Sequence, residues 1–233
     1  MKNKESKIIV ALDTDDLLMA KKLVKELSPE VIFFKIGLEF INTGQAPELI
    51  KLIKKLGGKV FYDIKLNDIP NTVGKTVRVI SKLGIDMFTV HTSAGRESLR
   101  AAVKNKGKSK VIGVTVLTSL KNDESKYIFG SGSKDKVLQF ASMLAEERAD
   151  GVVCSAKEVE LIKKSEKLKK LKIIVPGIRP SWTKANDQIR VVEPAEALKA
   201  GADYLVIGRP ITEPTKEIGS PLRALSYIIK DIL

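Results

Sequence analysis

Short runs of β-branched and other apolar residues recur along the chain, each followed by a segment of helical spacing. The runs are IIVALD (8–13), IFFKIGLE (32–39), KVFYDIKL (59–66) and MFTVHTS (87–93). They continue with KVIGVTVLTS (110–119), GVVCSA (151–156), KIIVPGIRP (172–180) and YLVIGRP (204–210). Between them, segments such as DLLMAKKLVKEL (16–27) and SLRAAVKNK (98–106) place apolar residues at i, i+3 and i+4, which predicts amphipathic helices. Gly57-Gly58, Gly84, Gly107 and Gly201 stand where these helices should end, the position a left-handed C-cap requires.

Strands that alternate with helices predict a parallel sheet, because a parallel return needs a crossover. Eight such units in 233 residues suit a closed (β/α)8 barrel, one domain over 1–233, better than an open doubly wound sheet. No G-x-G-x-x-G follows the first run. ALDTDD (11–16) stands there instead, so a dinucleotide-binding fold has no support.

Polar residues close these runs: Asp13, Lys35, Asp63 with Lys65, His91, Thr118, Ser155, Arg179 and Arg209. In barrel enzymes that end carries the active site. The densest stretch is YDIKLNDIP (62–70). Strand alternation puts Asp63 and Lys65 on one face, roughly 6–7 Å apart along the backbone, with Val60, Tyr62, Ile64 and Leu66 on the other. Both charges then point inward, with Asp68 in the loop beyond. Lys35 on the neighbouring strand completes an alternating Lys–Asp–Lys–Asp array in which every charge has an opposite neighbour. A salt-bridge cluster at a strand end would use the same residues. PGIRP (176–180) and IGRP (207–210) close the seventh and eighth runs, where barrels often bind phosphate. Glycine lets the backbone approach an anion and arginine offers a fork of donors, although two turns with incidental arginines would look alike.

Charge alone decides little. The net charge of +13 is compatible with nucleic-acid binding, attraction of an anionic substrate, or a lysine-rich surface. KLIKKLGGK (51–59) and LIKKSEKLKKLK (161–172) carry much of it at helical spacing, which reads as solvated helix faces. Aromatic content of 5% disfavours a base-stacking surface, and no nucleic-acid motif is present. The N-terminal segment lacks an apolar signal core, and no apolar run is long enough to span a membrane. A single cysteine, Cys154, permits no internal disulfide and fits a reducing cytoplasm; mid-strand, it reads as a small core residue. The single histidine, His91, rules out a site of several imidazoles and reads as structural. Trp182 reads as loop packing, with stacking on a base as the less favoured alternative.

YDIKLNDIPNT (62–72) contains D-x-K-x-x-D-I-P-N-T. Together with ALD (11–13), KIGLE (35–39), VTVLTS (114–119), DGVVCSA (150–156), PGIRP, NDQ (186–188) and VIGRP (206–210), it resembles the orotidine 5′-phosphate decarboxylase family, bacterial branch. The likeness covers nearly the whole chain. It implies a TIM barrel that converts orotidine 5′-phosphate to UMP, the last step of pyrimidine nucleotide synthesis, with no metal or organic cofactor. It implies Lys65 as general acid toward C6 of the pyrimidine, Asp63 against the leaving carboxylate, and Lys35 with Asp68 completing the array. Asp68 and Thr72 are expected to reach the partner's site in a cytoplasmic homodimer with shared active sites. Asp13 and Lys35 would hold the ribose and Thr118 would contact the pyrimidine. Gln188 would bridge base and phosphate, and Arg179, the Gly208 backbone and Arg209 would bind the 5′-phosphate. Neither nucleic acid nor membrane is an expected partner. D-x-K-x-x-D by itself also occurs in metal-dependent sugar-phosphate decarboxylases and aldolases, whose glutamate, a Mg²⁺ ligand, stands where this chain has Lys35. A basic nucleic-acid binder leaves the strand-end carboxylates unexplained. A nucleotide sensor would not need Lys65 beside Asp63. The family pattern is left only at the periphery, in SLKNDESKYIFGSGSKD (119–135) and the C-terminal SYIIKDIL (226–233).

Overall fold

The computed structural model describes residues 7–183 and 192–232. Among these, β1 (Ile8–Leu12) leads to α1 (Leu17–Leu27), and β2 (Phe33–Gly37) to α2 (Leu38–Asn42) and α3 (Ala46–Lys55). β3 (Lys59–Leu66) precedes α4 (Pro70–Ser81), and β4 (Met87–His91) precedes α5 (Arg96–Asn105). β5 (Lys110–Val114) is followed by α6 (Asn122–Phe129) and α7 (Ser133–Glu146), and β6 (Gly151–Val153) by α8 (Ala156–Lys164). β7 (Lys172–Val175), α9 (Pro194–Lys199), β8 (Tyr204–Ile207), α10 (Arg209–Thr212) and α11 (Pro221–Ile232) complete the order. All eight strands pair in parallel, each with its sequence neighbours, and β8 closes on β1: a (β/α)8 barrel.

Local chemistry sets the bounds. The Asp16 carboxylate accepts hydrogen bonds from the backbone N–H groups of Leu18 (2.7 Å) and Met19 (3.2 Å), capping α1. Its apolar stripe, Ala20, Leu23, Val24 and Leu27, is buried against the sheet. Gly57, Gly84, Gly107 and Gly201 all have positive φ, as helix ends demand. Several runs prove shorter as strands than their apolar character suggests: 110–119 is strand only to Val114, and 172–180 only to Val175. The lysine-rich stretch 161–172 is helical only to Lys164; Leu168 and Leu171 then turn inward and are buried, so the helical spacing there is coincidental.

The strands sort their side chains by phase. Ile9, Phe33, Phe61, Met87, Ile112, Ile174 and Val206 meet inside the barrel as one buried cluster. Val10, Phe34, Val60, Tyr62, Phe88, Val111, Cys154 and Leu205 face the helices in the other, with Ile64 and Leu66 packed against them.

At the N-terminal end of the barrel one device occurs three times. The Asp86 N–H donates to the Val60 carbonyl (3.0 Å) while its carboxylate accepts from the Val60 N–H (2.8 Å) and Lys54 (2.9 Å). Asp150 does the same to Val111 (2.9 and 2.8 Å) with Lys106, and Asp203 to Ile173 (2.9 and 2.9 Å) with Lys163. Each aspartate precedes an even-numbered strand and pins the odd-numbered strand before it.

Candidate active site

β3 carries the centre of the opposite end. Asp63 is buried (9% exposed), and its Oδ2 accepts a hydrogen bond from Lys65 Nζ at 2.8 Å. Lys35 Nζ lies 3.7 Å from the same oxygen and donates to Asp13 Oδ1 at 2.8 Å. The contiguous array is therefore Asp13–Lys35–Asp63–Lys65. Within one chain the outer carboxylate is Asp13; the place expected for Asp68, in a partner's site, lies outside a single chain. Asp68 is exposed, its Oδ1 accepting from the Ile69 N–H (2.7 Å) in its own loop.

Simple strand alternation also needs amending. Lys65 has φ of +50°, in the left-handed region, and the β3–β4 register shifts between Tyr62 and Leu66. The bulge carries Lys65 back toward Asp63, and β4 holds it there. Thr89, fully buried, receives the Lys65 N–H on its hydroxyl oxygen (2.8 Å) and donates to Asp63 Oδ1 (2.9 Å). Sequence reading passed over Thr89. The available signal was its phase in MFTVH, inward with Met87 and His91.

The two lysines set the ionisation of Asp63. Burial pushes the Asp63 carboxyl up, but the Lys35 and Lys65 ammoniums and the hydrogen bonds from Lys65 and Thr89 outweigh it, leaving Asp63 below the ordinary aspartate value. His91, at the end of β4, is held below the ordinary histidine value by burial and by Lys65, against the opposing pull of Asp63.

Above the array opens a cavity of about 300 Å³. Asp13, Lys35, Asp63, Lys65, Thr118, Arg179, Gly208 and Arg209 line it, over an apolar floor that includes Ala11, Phe61, Val114 and Val206. Gly208 sits tightly against its neighbours: a Cβ there would lie 3.1 Å from Asp13 Oδ2 and 3.4 Å from the Ala11 side chain. Gly177, also in the lining, has φ of +75°. Arg179 is buried and Arg209 half-buried, bringing two guanidinium groups to the β7–β8 side.

The remaining candidates fall elsewhere. Thr72 is exposed in the first turn of α4 and does not line the cavity. Ser155 lies at the start of α8 and donates to Glu158. Cys154 is fully buried, its thiol pushed up by burial and by Glu158. Trp182 packs edge-on against Tyr227 of α11, 6.1 Å between ring centroids. Gln188 lies outside the described residues.

Comparison with known proteins agrees with this geometry. Residues 6–218 match the Orotidine 5′-phosphate decarboxylase / HUMPS family. The orotidine 5′-phosphate decarboxylase of Syntrophomonas wolfei is 40% identical, over 96% of this chain and 98% of its own. That of Carboxydothermus hydrogenoformans is 44% identical over 88% of each. The crystal structure of orotidine 5′-phosphate decarboxylase from Lactobacillus acidophilus superposes with a TM-score of 0.81 at 30% identity, covering 97% of this chain and 98% of that one. By sequence, fold and the arrangement at the barrel mouth, the chain belongs to the orotidine 5′-phosphate decarboxylase / HUMPS family.

Proposed function

We propose that this chain is an orotidine 5′-phosphate decarboxylase that converts its substrate to UMP through Lys65. The observation that carries the reading is the Lys65–Asp63–Lys35 arrangement, with separations of 2.8 and 3.7 Å, under a cavity with two arginines on its far side. The substrate's anionic groups fit that polarity: Arg179, Arg209 and the glycine-lined backbone at 177 and 208 suit the phosphate, and the array suits the reacting carboxylate. Asp13 and Lys35 are then at hand for the ribose and Thr118 for the base; the role of Gln188, between base and phosphate, rests on the family resemblance alone.

Breaking the C6–carboxylate bond leaves its electron pair on C6, in an sp² orbital that cannot spread into the ring. A fixed cation is the remaining means of stabilisation, and the Lys65 ammonium supplies field and proton together. CO₂ departs, the Lys65 proton moves to C6, and Lys65 recovers a proton from water. Asp63 holds the Lys65 ammonium in place beforehand. Binding energy from the phosphate holds the base in register.

The metal-dependent sugar-phosphate alternative is disfavoured by Lys35. Its ammonium lies between Asp13 and Asp63, the ground a divalent cation bridging those carboxylates would need. We further propose one catalytic domain over 1–233, a cytoplasmic location suggested by the lone cysteine, and a homodimer whose partner supplies Asp68 and Thr72. Support for the last is that both residues are exposed and Asp68 has no ion pair among the described residues. No helix of the described residues is long and apolar enough to cross a membrane. Purified protein mixed with orotidine 5′-phosphate in EDTA should deplete the substrate's ultraviolet absorbance and yield UMP. Activity abolished by EDTA and restored by Mg²⁺ would overturn the assignment.

A further inference from the structure

We infer that Thr89 is a positioning residue whose single hydroxyl sets both the orientation of Asp63 and the backbone turn that aims Lys65. The inference rests on the reading of Lys65 as proton donor. It follows from proton accounting. A backbone N–H can only donate, so at 2.8 Å from the Lys65 N–H the Thr89 oxygen must be the acceptor. Its one hydrogen is then committed to Asp63 Oδ1, 2.9 Å away, which accepts it. The other carboxylate oxygen, Oδ2, already takes the Lys65 ammonium. The polarity of the chain of bonds is thus fixed from the peptide outward, and it uses both Asp63 oxygens as acceptors.

Two further features give the hydroxyl leverage. Thr89 has no exposure to solvent, so water cannot readily replace it. Lys65 holds φ of +50°, a conformation disfavoured for a residue with a side chain, and its N–H is the group that Thr89 secures. Without that anchor the segment is free to relax toward regular strand, which would alter the path of the Lys65 side chain from its backbone outward. Every element bordering Asp63 is accounted for: Lys35 from β2, Lys65 from β3, and Thr89 with His91 from β4, while Asp13 beyond β1 pairs with Lys35.

Thr89→Val keeps the shape and removes both bonds, whereas Thr89→Ser keeps both. We expect the valine variant to lose about 10–100-fold in kcat with KM and UMP affinity nearly unchanged, because the β7–β8 arginines are untouched. The serine variant should stay within about threefold of wild type in kcat. A folded valine variant with wild-type kcat overturns the inference, and so does a serine variant as damaged as the valine one. If Thr89→Val does not fold, Thr89→Cys replaces it, offering a weaker donor at similar size, and a wild-type kcat there overturns the inference equally. Lys65→Ala in parallel separates the two ideas: substantial turnover without Lys65 removes the proton-donor reading. An inactive Lys65→Ala beside a normal Thr89→Val removes only the role of Thr89.

Discussion

Lys65 occupies a backbone conformation that most side chains avoid, and it does so where its ammonium meets Asp63. Such strain persists only where surrounding bonds over-determine it, as the Thr89 hydroxyl does here. Lys65→Ala should abolish the chemical step while leaving UMP binding intact; Arg209→Ala should do the reverse, raising KM and weakening UMP at least tenfold, roughly the loss of one charge-assisted contact. Turnover and UMP titration separate the two. His91 gives a second test at this scale. Its folded value lies below its ordinary 6.5, so between the two values the unfolded chain binds a proton that the folded chain refuses. Stability should therefore be fully present above about 6.5 and fall as pH drops toward the folded value. In His91→Gln, denaturation midpoints followed downward from pH 7 should decline less steeply than in wild type. Charges legible from spacing alone, Asp63, Lys65 and Lys35, are the ones the structure brings together. Thr89 was not legible, because its importance depends on a bulge in β3 that no alternation rule foresees. Nor was the place of Asp13 in the array, which depends on how far a lysine reaches across two strands.

Helix ends show a second kind of regularity. At Gly57, Gly84 and Gly201 the chain leaves α3, α4 and α9 through a left-handed residue. After α7 the same place is held by Arg148, with φ of 59° and the following Ala149 N–H bonded back to Leu144 (2.9 Å), just as Ala202 N–H bonds back to Ala197 (3.1 Å). The left-handed conformation costs a side-chain-bearing residue about 1–2 kcal/mol, and glycine largely escapes that penalty. Arg148 is exposed and has no ion pair among the described residues, so little is lost by removing it. Arg148→Gly should thus raise Tm by about 1–4 °C without changing kcat, after allowing for glycine's freer unfolded state. An unchanged or lower Tm by calorimetry would contradict this. In the sequence, glycines mark where helices stop, but position 148 carries no such mark. The opposite failure occurred at 161–172, where lysines and leucines keep helical spacing past the true end at Lys164. Spacing reports which residues could share a face; burial of Leu168 and Leu171 under a non-helical turn reports which ones do.

Closure of the whole barrel was legible because eight apolar runs alternating with helices leave few other arrangements for a parallel sheet. How one chain meets another was not, since an exposed Asp68 looks the same in a monomer. The shared-site proposal is decided at this scale. Lys65→Ala and Asp68→Ala homodimers should each be nearly inactive. In a mixed dimer both losses fall in one site and the other site is whole. With random exchange half the dimers are mixed, so about a quarter of wild-type activity should return. If subunits demonstrably exchange and no activity reappears, Asp68 acts within its own chain.

The threefold device at the other end of the barrel has its own consequence. The carboxylates of Asp86, Asp150 and Asp203 each clasp one strand start, at Val60, Val111 and Ile173, while the Asp86 and Asp150 carbonyls accept from the Lys110 (2.9 Å) and Lys172 (3.1 Å) N–H groups through bonds that do not depend on the side chain. Opening of the base should then be piecemeal. In Asp86→Ala, amide hydrogen exchange should accelerate at Val60 and its β3 neighbours, while the Val111 and Ile173 amides keep their protection. Turnover should hardly change, because the clasp lies at the opposite mouth from Lys65. Fraying in one sector beneath an undisturbed catalytic rim is the behaviour this construction predicts.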